Sequence, residues 1–252
     1  NSFEAEARFL RALALHEAMV FFAQPYKKTA DASHYGVPVV TVPCNTIDAV
    51  NEALKSGRAT AKETYEQIVG DLNFAESHLP ETRSGSMKIS RATKGAAIAL
   101  KTRVYLHMAD YEKVILEASK LVDAASEEHN AKIGNYKLTD NVAWPFLNNS
   151  DNSESIFSIE NTSTDNPTLD GAIGQLYYGR KDIAVSPILY NAEFWDKDDL
   201  RRSMLEMIDG KYFTKKYPNY VDMDDWAPII RYAEVLLNYA EAEHRSCFCS
   251  KD

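Results

Sequence analysis

Acidic side chains form two clusters in the second half of the chain, and grouped carboxylates can serve glycoside hydrolysis or calcium binding. The clusters are Asp196, Asp198 and Asp199, and Asp222, Asp224 and Asp225. A glycosidase needs two carboxyls at a fixed separation, one of them with a raised pKa, and closeness in sequence supplies neither. An EF-hand loop needs Asp-x-Asp-x-Asp-Gly and a Glu at the twelfth position, which neither cluster has. Solvated acidic surface is therefore the favoured interpretation.

The remaining side chains that could do chemistry are scattered. The six histidines are His16, His34, His78, His107, His129 and His244, without a His-Glu-x-x-His pair. Gly85-Ser86 is not part of a Gly-x-Ser-x-Gly elbow, and Gly171-Ala-Ile-Gly174 is not followed by Lys-Ser/Thr. Cys247-Phe-Cys249 is half of a metal-binding pattern, and no second pair stands at ligand spacing. The sequence therefore predicts no catalytic residues, no metal ligands and no cofactor.

Aromatic residues are the more informative group, since they make up 11% of the chain. Flat aromatic faces can stack on sugar C–H patches while polar side chains bond the hydroxyls. The candidates in the irregular part of the sequence are Trp144, Tyr177, Tyr178, Trp195 and Tyr220. The alternative for each is an anchor of the core or of a loop. Tyr177 and Tyr178 are the best candidates, because two adjacent aromatics between Gly174 and Gly179 cannot easily both be buried.

Apolar residues at helical spacing predict the elements that come before this region. The predicted helices run from Phe3 to Phe22, from Thr60 to Leu79, from Lys94 to Met108 and from Tyr111 to Ala125. The first is apolar on so much of its surface that burial on several faces is expected. Thr60-Ala-Lys-Glu63 fits a capping box. The last two form a hairpin that resembles a degenerate tetratricopeptide unit.

Helical periodicity fades between residues 131 and 226. Short strands are predicted at Glu154–Ile159 and Tyr212–Tyr217, and a short helix at Ser186–Trp195. A further helix is predicted over 227–243, with Pro228 in its first turn. The tail from His244 departs from the helical pattern, so residues 244–252 are suspect as native sequence. The predicted fold is mainly α, built of helical hairpins with an irregular, aromatic-rich insertion.

Composition and charge argue against several kinds of protein. The 252 residues are 45% hydrophobic and 26% charged, as in ordinary globular proteins, and the net charge of −9 argues against nucleic-acid binding. No apolar run is long enough to span a membrane. Three cysteines are too few for a disulfide framework. Because the chain opens on Asn1, we expect a fragment of a longer protein.

Ordered motifs give a more specific indication. The segment Ala227-Pro-Ile-Ile-Arg-Tyr-Ala-Glu-Val-Leu-Leu-Asn-Tyr-Ala-Glu-Ala-Glu243 resembles the C-terminal signature of the SusD/RagB family. Glu4-Ala-Glu-Ala-Arg-Phe-Leu-Arg-Ala-Leu-Ala14 is similar to that family's first repeat helix. Four more segments resemble family landmarks in the family's order: Tyr35-Gly-Val-Pro-Val39, Arg91-Ala-Thr-Lys-Gly-Ala-Ala-Ile-Ala-Leu100, Glu154-Ser-Ile-Phe157 and Asp199-Leu-Arg-Arg202.

The resemblance implies a partial SusD-like domain over 1–252, with a repeat part at 3–130, an insertion at 131–226 and a last repeat helix at 227–243. It implies a non-enzymatic lipoprotein on the surface of the outer membrane of Bacteroidetes. Such a protein binds an oligosaccharide, or less often a peptide, for a SusC-like TonB-dependent transporter. A lipid anchor on an N-terminal region missing from this chain would be its only link to the membrane.

Two alternatives remain open at the level of sequence. One is a helical-repeat scaffold that binds a protein partner and no glycan. The other is a polysaccharide-degrading enzyme, for which no motif gives support.

Overall fold

The structure is a computed structural model that describes residues 2–249, with only the backbone described for Phe248 and Cys249. The chain divides into two compact units. The helical unit comprises Asn1–Arg83, Ala92–Gly134 and Ala233–Asp252, and the insertion unit comprises Ser84–Arg91 and Asn135–Tyr232. Helices dominate and the strands are short and antiparallel, so the predicted mainly α fold class is confirmed.

The helical unit is a series of consecutive helices packed pairwise. Its helices are α1 (Ser2–Phe22), α2 (Ile47–Leu54), α3 (Ala61–His78), α5 (Lys94–His107), α6 (Tyr111–Leu121) and most of α10 (Tyr232–Cys249). A short 3-10 turn over Tyr26–Lys28 lies in the long connection after α1. Helix α1 packs on α3, α3 on α5, and α5 on α6.

Local capping explains where the helices begin. The Thr60 hydroxyl accepts the Glu63 amide while the Glu63 carboxylate accepts the Thr60 amide, so the predicted capping box is confirmed. The Asp110 carboxylate accepts the Lys113 amide at the start of α6. Helix α6 ends at Leu121, earlier than predicted, because Val122 turns to extended backbone.

Helix α1 departs from the expectation of burial on several faces. Its buried residues are Ala5, Glu6, Phe9, Ala12, His16 and Met19. Phe3 is 80% exposed, Leu10 51% and Phe21 74%. Helices α3 and α5 pack on α1, whose buried residues form one stripe. Phe3, Leu10 and Phe21 form a second apolar stripe, which is exposed.

Charged groups buried between these helices are paired. Asp71 of α3 is completely buried, and the Arg11 guanidinium of α1 donates to both its oxygens at 2.6 and 2.7 Å. Lys101 of α5 pairs with Glu76 and Glu117. Since an unpaired buried charge is strongly destabilising, these pairs fix how the helices meet.

The insertion unit is built from short elements joined by turns. They are α4 (Met87–Ser90), α7 (Trp144–Leu147), β1 (Ser155–Ile159), α8 (Thr168–Gly171), a π-helical turn (Gln175–Gly179), α9 (Pro187–Tyr190), a 3-10 turn (Leu200–Met204), β2 (Leu205–Ile208), β3 (Lys211–Thr214) and β4 (Ala227–Arg231). Strands β2 and β3 form a hairpin closed by Asp209-Gly210, both with positive φ as such turns require. Strands β1 and β4 pair antiparallel.

The predicted helix over 227–243 is wrong at its start. Residues 227–231 form β4, whose Ala227 lies opposite Ile159 and whose Arg231 lies opposite Ser155. Helix α10 begins only at Tyr232, whose amide donates to the Glu154 carbonyl at 2.8 Å. Pairing with a strand far earlier in the chain overrides the helix-start signal that Pro228 gives.

The predicted break in the helical pattern at His244 is also wrong. Helix α10 continues through Cys249. Residues 250–252 of the suspect tail lie outside the described residues.

Within the described chain, no helix combines the length and the apolar character that crossing a membrane requires.

Candidate functional site

Tyr177 and Tyr178 lie on the π-helical turn Gln175–Gly179 of the insertion unit, and both are partly exposed. A π-helical turn places consecutive side chains at an unusual spacing and is frequent at functional sites. The Gln175 amide donates to the Tyr220 carbonyl at 2.6 Å, which ties the turn to the loop that follows β3.

The glycines on either side of this turn allow that close approach. A Cβ on Gly174 would lie 2.7 Å from Asp225 Oδ2 and 3.1 Å from the Tyr220 Cα atom. A Cβ on Gly179 would lie 3.0 Å from Tyr220 Cδ2. A larger residue at either position would therefore crowd its neighbours. This packing explains why Tyr177 and Tyr178 stand between two glycines.

The tyrosine cluster is defined here as Phe146, Tyr177, Tyr178, Tyr217 and Tyr220. The ring centroids of Tyr177 and Tyr217 are 5.9 Å apart, and those of Tyr178 and Tyr220 are 5.5 Å apart at an angle of 69°. Tyr217 meets Phe146 edge to face at 5.8 Å. These are favourable aromatic geometries that hold neighbouring rings in fixed orientations.

The polar edge of the cluster is formed by Tyr178 and Glu206. The Tyr178 hydroxyl donates to Glu206 Oε2 at 2.6 Å. This bond raises the pKa of Tyr178 and lowers the pKa of Glu206, because it stabilises the neutral phenol and the carboxylate. Lys181 Nζ lies 5.7 Å from the centroid of the Tyr178 ring.

Cationic side chains lie on the other side of the cluster. Lys216 Nζ is 4.1 Å from the Phe146 ring centroid and 5.7 Å from that of Tyr217. The Arg231 guanidinium is 5.1 Å from the Phe146 centroid and forms an ion pair with Glu154.

Trp195 belongs to a second group, the tryptophan loop, defined as residues 190–202. Its ring meets Tyr190 edge to face at 6.1 Å, and Tyr190 stacks on Tyr212 at 3.8 Å. The Arg202 guanidinium lies 4.5 Å from both the Tyr190 and the Trp195 ring centroids. It also donates to the backbone carbonyls of Tyr190, Trp195 and Asp196 at 2.7–2.9 Å.

An open cavity of ≈ 800 Å³ lies along the tryptophan loop. Its lining combines aromatic rings, including Phe194 at 83% exposure, with polar side chains such as Asn191 and Glu193. Arg202 bonds three carbonyls of the loop and lies over the rings of Tyr190 and Trp195, so these two rings are held in place before any ligand arrives.

Trp144 stands apart from both groups. It opens α7, is 46% exposed, and lines a smaller cavity of ≈ 260 Å³ formed by residues 137–141 and Ser153.

The structure thus brings Tyr177, Tyr178 and Tyr220 together, and it places Trp195 and Trp144 in separate surroundings. Sequence reasoning missed the residues that complete the two groups: Phe146, Tyr190, Phe194, Arg202, Tyr212 and Tyr217. Arg202 belongs to the Asp199-Leu-Arg-Arg202 motif, so that motif carried a usable signal. The others have no local sequence feature that separates them from core aromatics.

The interpretation of the acidic clusters as solvated surface is wrong for Asp225, which is buried, whereas Asp196, Asp198 and Asp222 are exposed. The Asp198 amide donates to Asp196 Oδ1 at 3.0 Å, and Asp199 pairs with Arg201. Asp225 accepts the Asn219 amide at 2.9 Å and is 3% exposed, and burial raises the pKa of its carboxyl to about 6. A carboxyl this deeply buried is largely shielded from solvent, so the raised pKa reflects packing.

No metal-binding group of three or more His, Cys, Asp or Glu side chains is found among the residues that the structure describes.

Comparisons with known proteins show what the chain is similar to. A family profile described as "Starch-binding associating with outer membrane", of the SusD-like type, matches residues 1–106. A SusD superfamily protein from Bacteroides fragilis superposes with a TM-score of 0.79 at 26% identity, covering 96% of this chain and 52% of that chain. Residues 1–106 thus match the SusD-like family model, and nearly the whole chain superposes on a SusD superfamily structure. The predicted resemblance is thereby confirmed.

Two further solved structures match the chain over a similar extent. A SusD superfamily protein from Bacteroides thetaiotaomicron gives a TM-score of 0.78 at 25% identity, covering 97% of this chain and 55% of that chain. Surface glycan-binding protein A from Bacteroides fluxus gives 0.65 at 22% identity, covering 96% and 54%. The chain therefore spans about half the length of these structures. No curated protein matches the chain.

Proposed function

We propose that this SusD-like chain is part of a non-enzymatic protein that binds an oligosaccharide at the outer surface of the cell. The observation that carries the proposal is the grouping of aromatic rings with polar side chains on the loops of the insertion unit. The family description and the glycan-binding relative from Bacteroides fluxus support it.

The two aromatic groups supply complementary parts of such a site. Partly exposed rings offer apolar faces for the C–H patches of a sugar, and adjacent carboxylates, amides and ammonium groups bond its hydroxyls. Glu206 is already oriented by the Tyr178 hydroxyl, so an acceptor carboxylate is fixed beside a ring face. We propose Tyr177, Tyr178, Tyr220, Trp195 and Trp144 as the binding aromatics, with Tyr177 and Tyr178 making the largest contribution.

A panel of oligosaccharides titrated by calorimetry tests the proposal. The double variant Tyr177→Ala/Tyr178→Ala should weaken binding by about 1–3 kcal/mol, the range found for aromatic stacking on ring-shaped ligands. Tyr35→Ala is the matched control, since Tyr35 is 73% exposed and lies in the helical unit. Unchanged affinity in a folded double variant would remove the two tyrosines from the site.

The fate of the oligosaccharide after incubation distinguishes a binding protein from a glycan-degrading enzyme. Saturable binding with the oligosaccharide recovered intact supports a binding protein. Release of shortened products would instead make the protein an enzyme.

Delivery of the ligand to a SusC-like TonB-dependent transporter is the finer part of the proposal. The test is the DNA on both sides of the coding region. An upstream signal with a lipobox cysteine beside a transporter gene supports a surface lipoprotein that works with that transporter. A start without a signal, and no transporter gene nearby, would favour the helical-repeat scaffold without a glycan ligand.

A further inference from the structure

The Lys216 side chain is partly buried, and its ammonium group forms no ion pair with any residue that the structure describes. It lies against the faces of Phe146 and Tyr217, at 4.1 and 5.7 Å from the ring centroids. Its neighbour Lys215, by contrast, lies 3.5 Å from Glu206. Buried charges in proteins are usually paired, so the absence of a carboxylate partner among the described residues calls for an explanation.

The negative charge that acts on Lys216 is that of Glu154, and this carboxylate already forms an ion pair with another cation. Glu154 is 6% exposed, pairs with Arg231, and accepts from the Thr139 hydroxyl at 3.3 Å. The niche of Lys216, Arg231 and Glu154 therefore holds two positive charges and one negative charge. This local excess of positive charge lies in a chain whose net charge is −9.

The electrostatics of the niche favour an added anion. Burial is the main cause that lowers the pKa of Lys216 to about 8, and the Arg231 charge on β4 acts in the same direction, while the Glu154 charge before β1 opposes both effects. An anion placed against the ammonium would replace the lost hydration and would raise this pKa again.

The niche is continuous with the tyrosine cluster, because the Tyr217 ring beside Lys216 lies 5.9 Å from that of Tyr177. We propose that the cluster takes a saccharide that carries a carboxylate, such as a uronic acid, and that Lys216 pairs with this carboxylate. The inference rests on the proposed glycan-binding function and names its ligand class. A sugar carboxylate projects from the edge of a ring, so one ligand can stack on tyrosine and reach the ammonium.

Oligogalacturonate and its carboxyl-reduced form are the probes, since they differ only in the carboxylates. The purified protein should bind the acidic oligomer roughly tenfold more tightly, as expected for a charge-assisted bond in a partly buried niche. Lys216→Met should remove this preference, so that the two oligomers bind with similar affinity. Lys216→Arg should keep it, and Lys62→Met is the control, because Lys62 is an exposed lysine of α3 in the helical unit.

The pH dependence gives a readout that a purely structural lysine would not produce. Binding of the acidic oligomer should weaken by roughly tenfold between pH 7 and pH 9.5 in the wild type as Lys216 loses its proton, and should stay constant in Lys216→Arg. The pKa values of Tyr178 and Tyr217 are raised, by the bond to Glu206 and by burial respectively, so these phenols hold their protons more firmly than a free tyrosine.

Equal binding of both oligomers by the wild type would overturn the inference and leave the glycan-binding function standing. The inference is likewise overturned if Lys216→Met is folded and keeps the preference. If neither oligomer nor any other glycan binds, the proposed function fails together with the inference. If Lys216→Met does not fold, the wild type alone still tests the inference. Its affinities for the two oligomers, and for the acidic oligomer at pH 7 and pH 9.5, are then compared.

Discussion

Removal of the buried ammonium of Lys101 should destabilise the helical unit strongly. Lys101 is 1% exposed, and its Nζ lies 2.8 Å from Glu117 Oε2 on α6 and 3.2 Å from Asn73 Oδ1 on α3. It also pairs with Glu76 on α3. Lys120 approaches the same two carboxylates, at 3.0 and 2.8 Å. One lysine on α5 thus links the helices before and after it.

The substitution Lys101→Met keeps the length of the side chain and removes only its charge and donors. Two carboxylates then share the single ammonium of Lys120, in a place with little water. Breaking a buried ion pair by removing one partner costs about 3–5 kcal/mol. Because Lys120 remains, we expect the lower end, roughly 3 kcal/mol, which for a chain of this size lowers the melting temperature by about 6–12 °C.

Urea unfolding followed by circular dichroism measures the effect. Lys55→Met is the control, since Lys55 and Glu52 form a pair whose side chains are 69% and 70% exposed. Its loss should change the free energy of unfolding by less than about 0.5 kcal/mol. The double variant Lys101→Met/Glu117→Gln removes one of the two carboxylates that would share Lys120, so it should recover at least half of the loss.

Two results would refute this reasoning. A loss below about 1 kcal/mol in Lys101→Met would show that the pair is weakly desolvated. A double variant as unstable as the single one would show that packing of the lysine stem, and not the uncompensated carboxylate, sets the cost.

The other predictions concern His16 and two glycines. Burial, followed by the neighbouring His107 and Arg103, lowers the pKa of His16 to about 3, below its value in the unfolded chain. Stability from this group is therefore complete above about pH 6.5 and is lost as the pH falls towards 3. The stability advantage of wild type over His16→Gln should shrink by roughly 2–3 kcal/mol between pH 7 and pH 4.5 in urea titrations. A constant difference would contradict a neutral, buried imidazole. Gly174→Ala places a methyl group 2.7 Å from a carboxylate oxygen and should cost about 1–3 kcal/mol in thermal unfolding. Gly70→Ala, within α3 with nothing within 4 Å, should stabilise by about 0.5–1 kcal/mol, and the opposite order would refute the packing argument.

Much of the fold was readable from sequence because it depends on neighbours within one helical turn. The capping box at Thr60 and Glu63 and the helical hairpin around Asp110 follow from residues three or four apart. The strand at 155–159 follows from alternation along one segment. The resemblance to the SusD/RagB family followed from the order of several such segments along the chain.

The sequence also pointed to Tyr177 and Tyr178 as a pair held between glycines. It could not show that the Tyr178 hydroxyl bonds to Glu206, or that Arg202 holds the backbone around Trp195. These contacts bring loops together in space, and no local spacing encodes them.

Tertiary structure alone decided which competing signal won. Residues 227–231 carry both a helix-start proline and β-branched residues, and the strand prevails because β1 offers its backbone groups as partners. The two apolar stripes of α1 look alike in sequence, and the one containing Phe9 is buried because α3 and α5 pack there. In the same way, Lys216 reads as an ordinary surface lysine until Phe146, from far earlier in the chain, is placed beneath it. The spacing of residues along the chain determines which helices and strands form. Contacts between distant segments determine which helix face, strand edge or charged group stays available for binding.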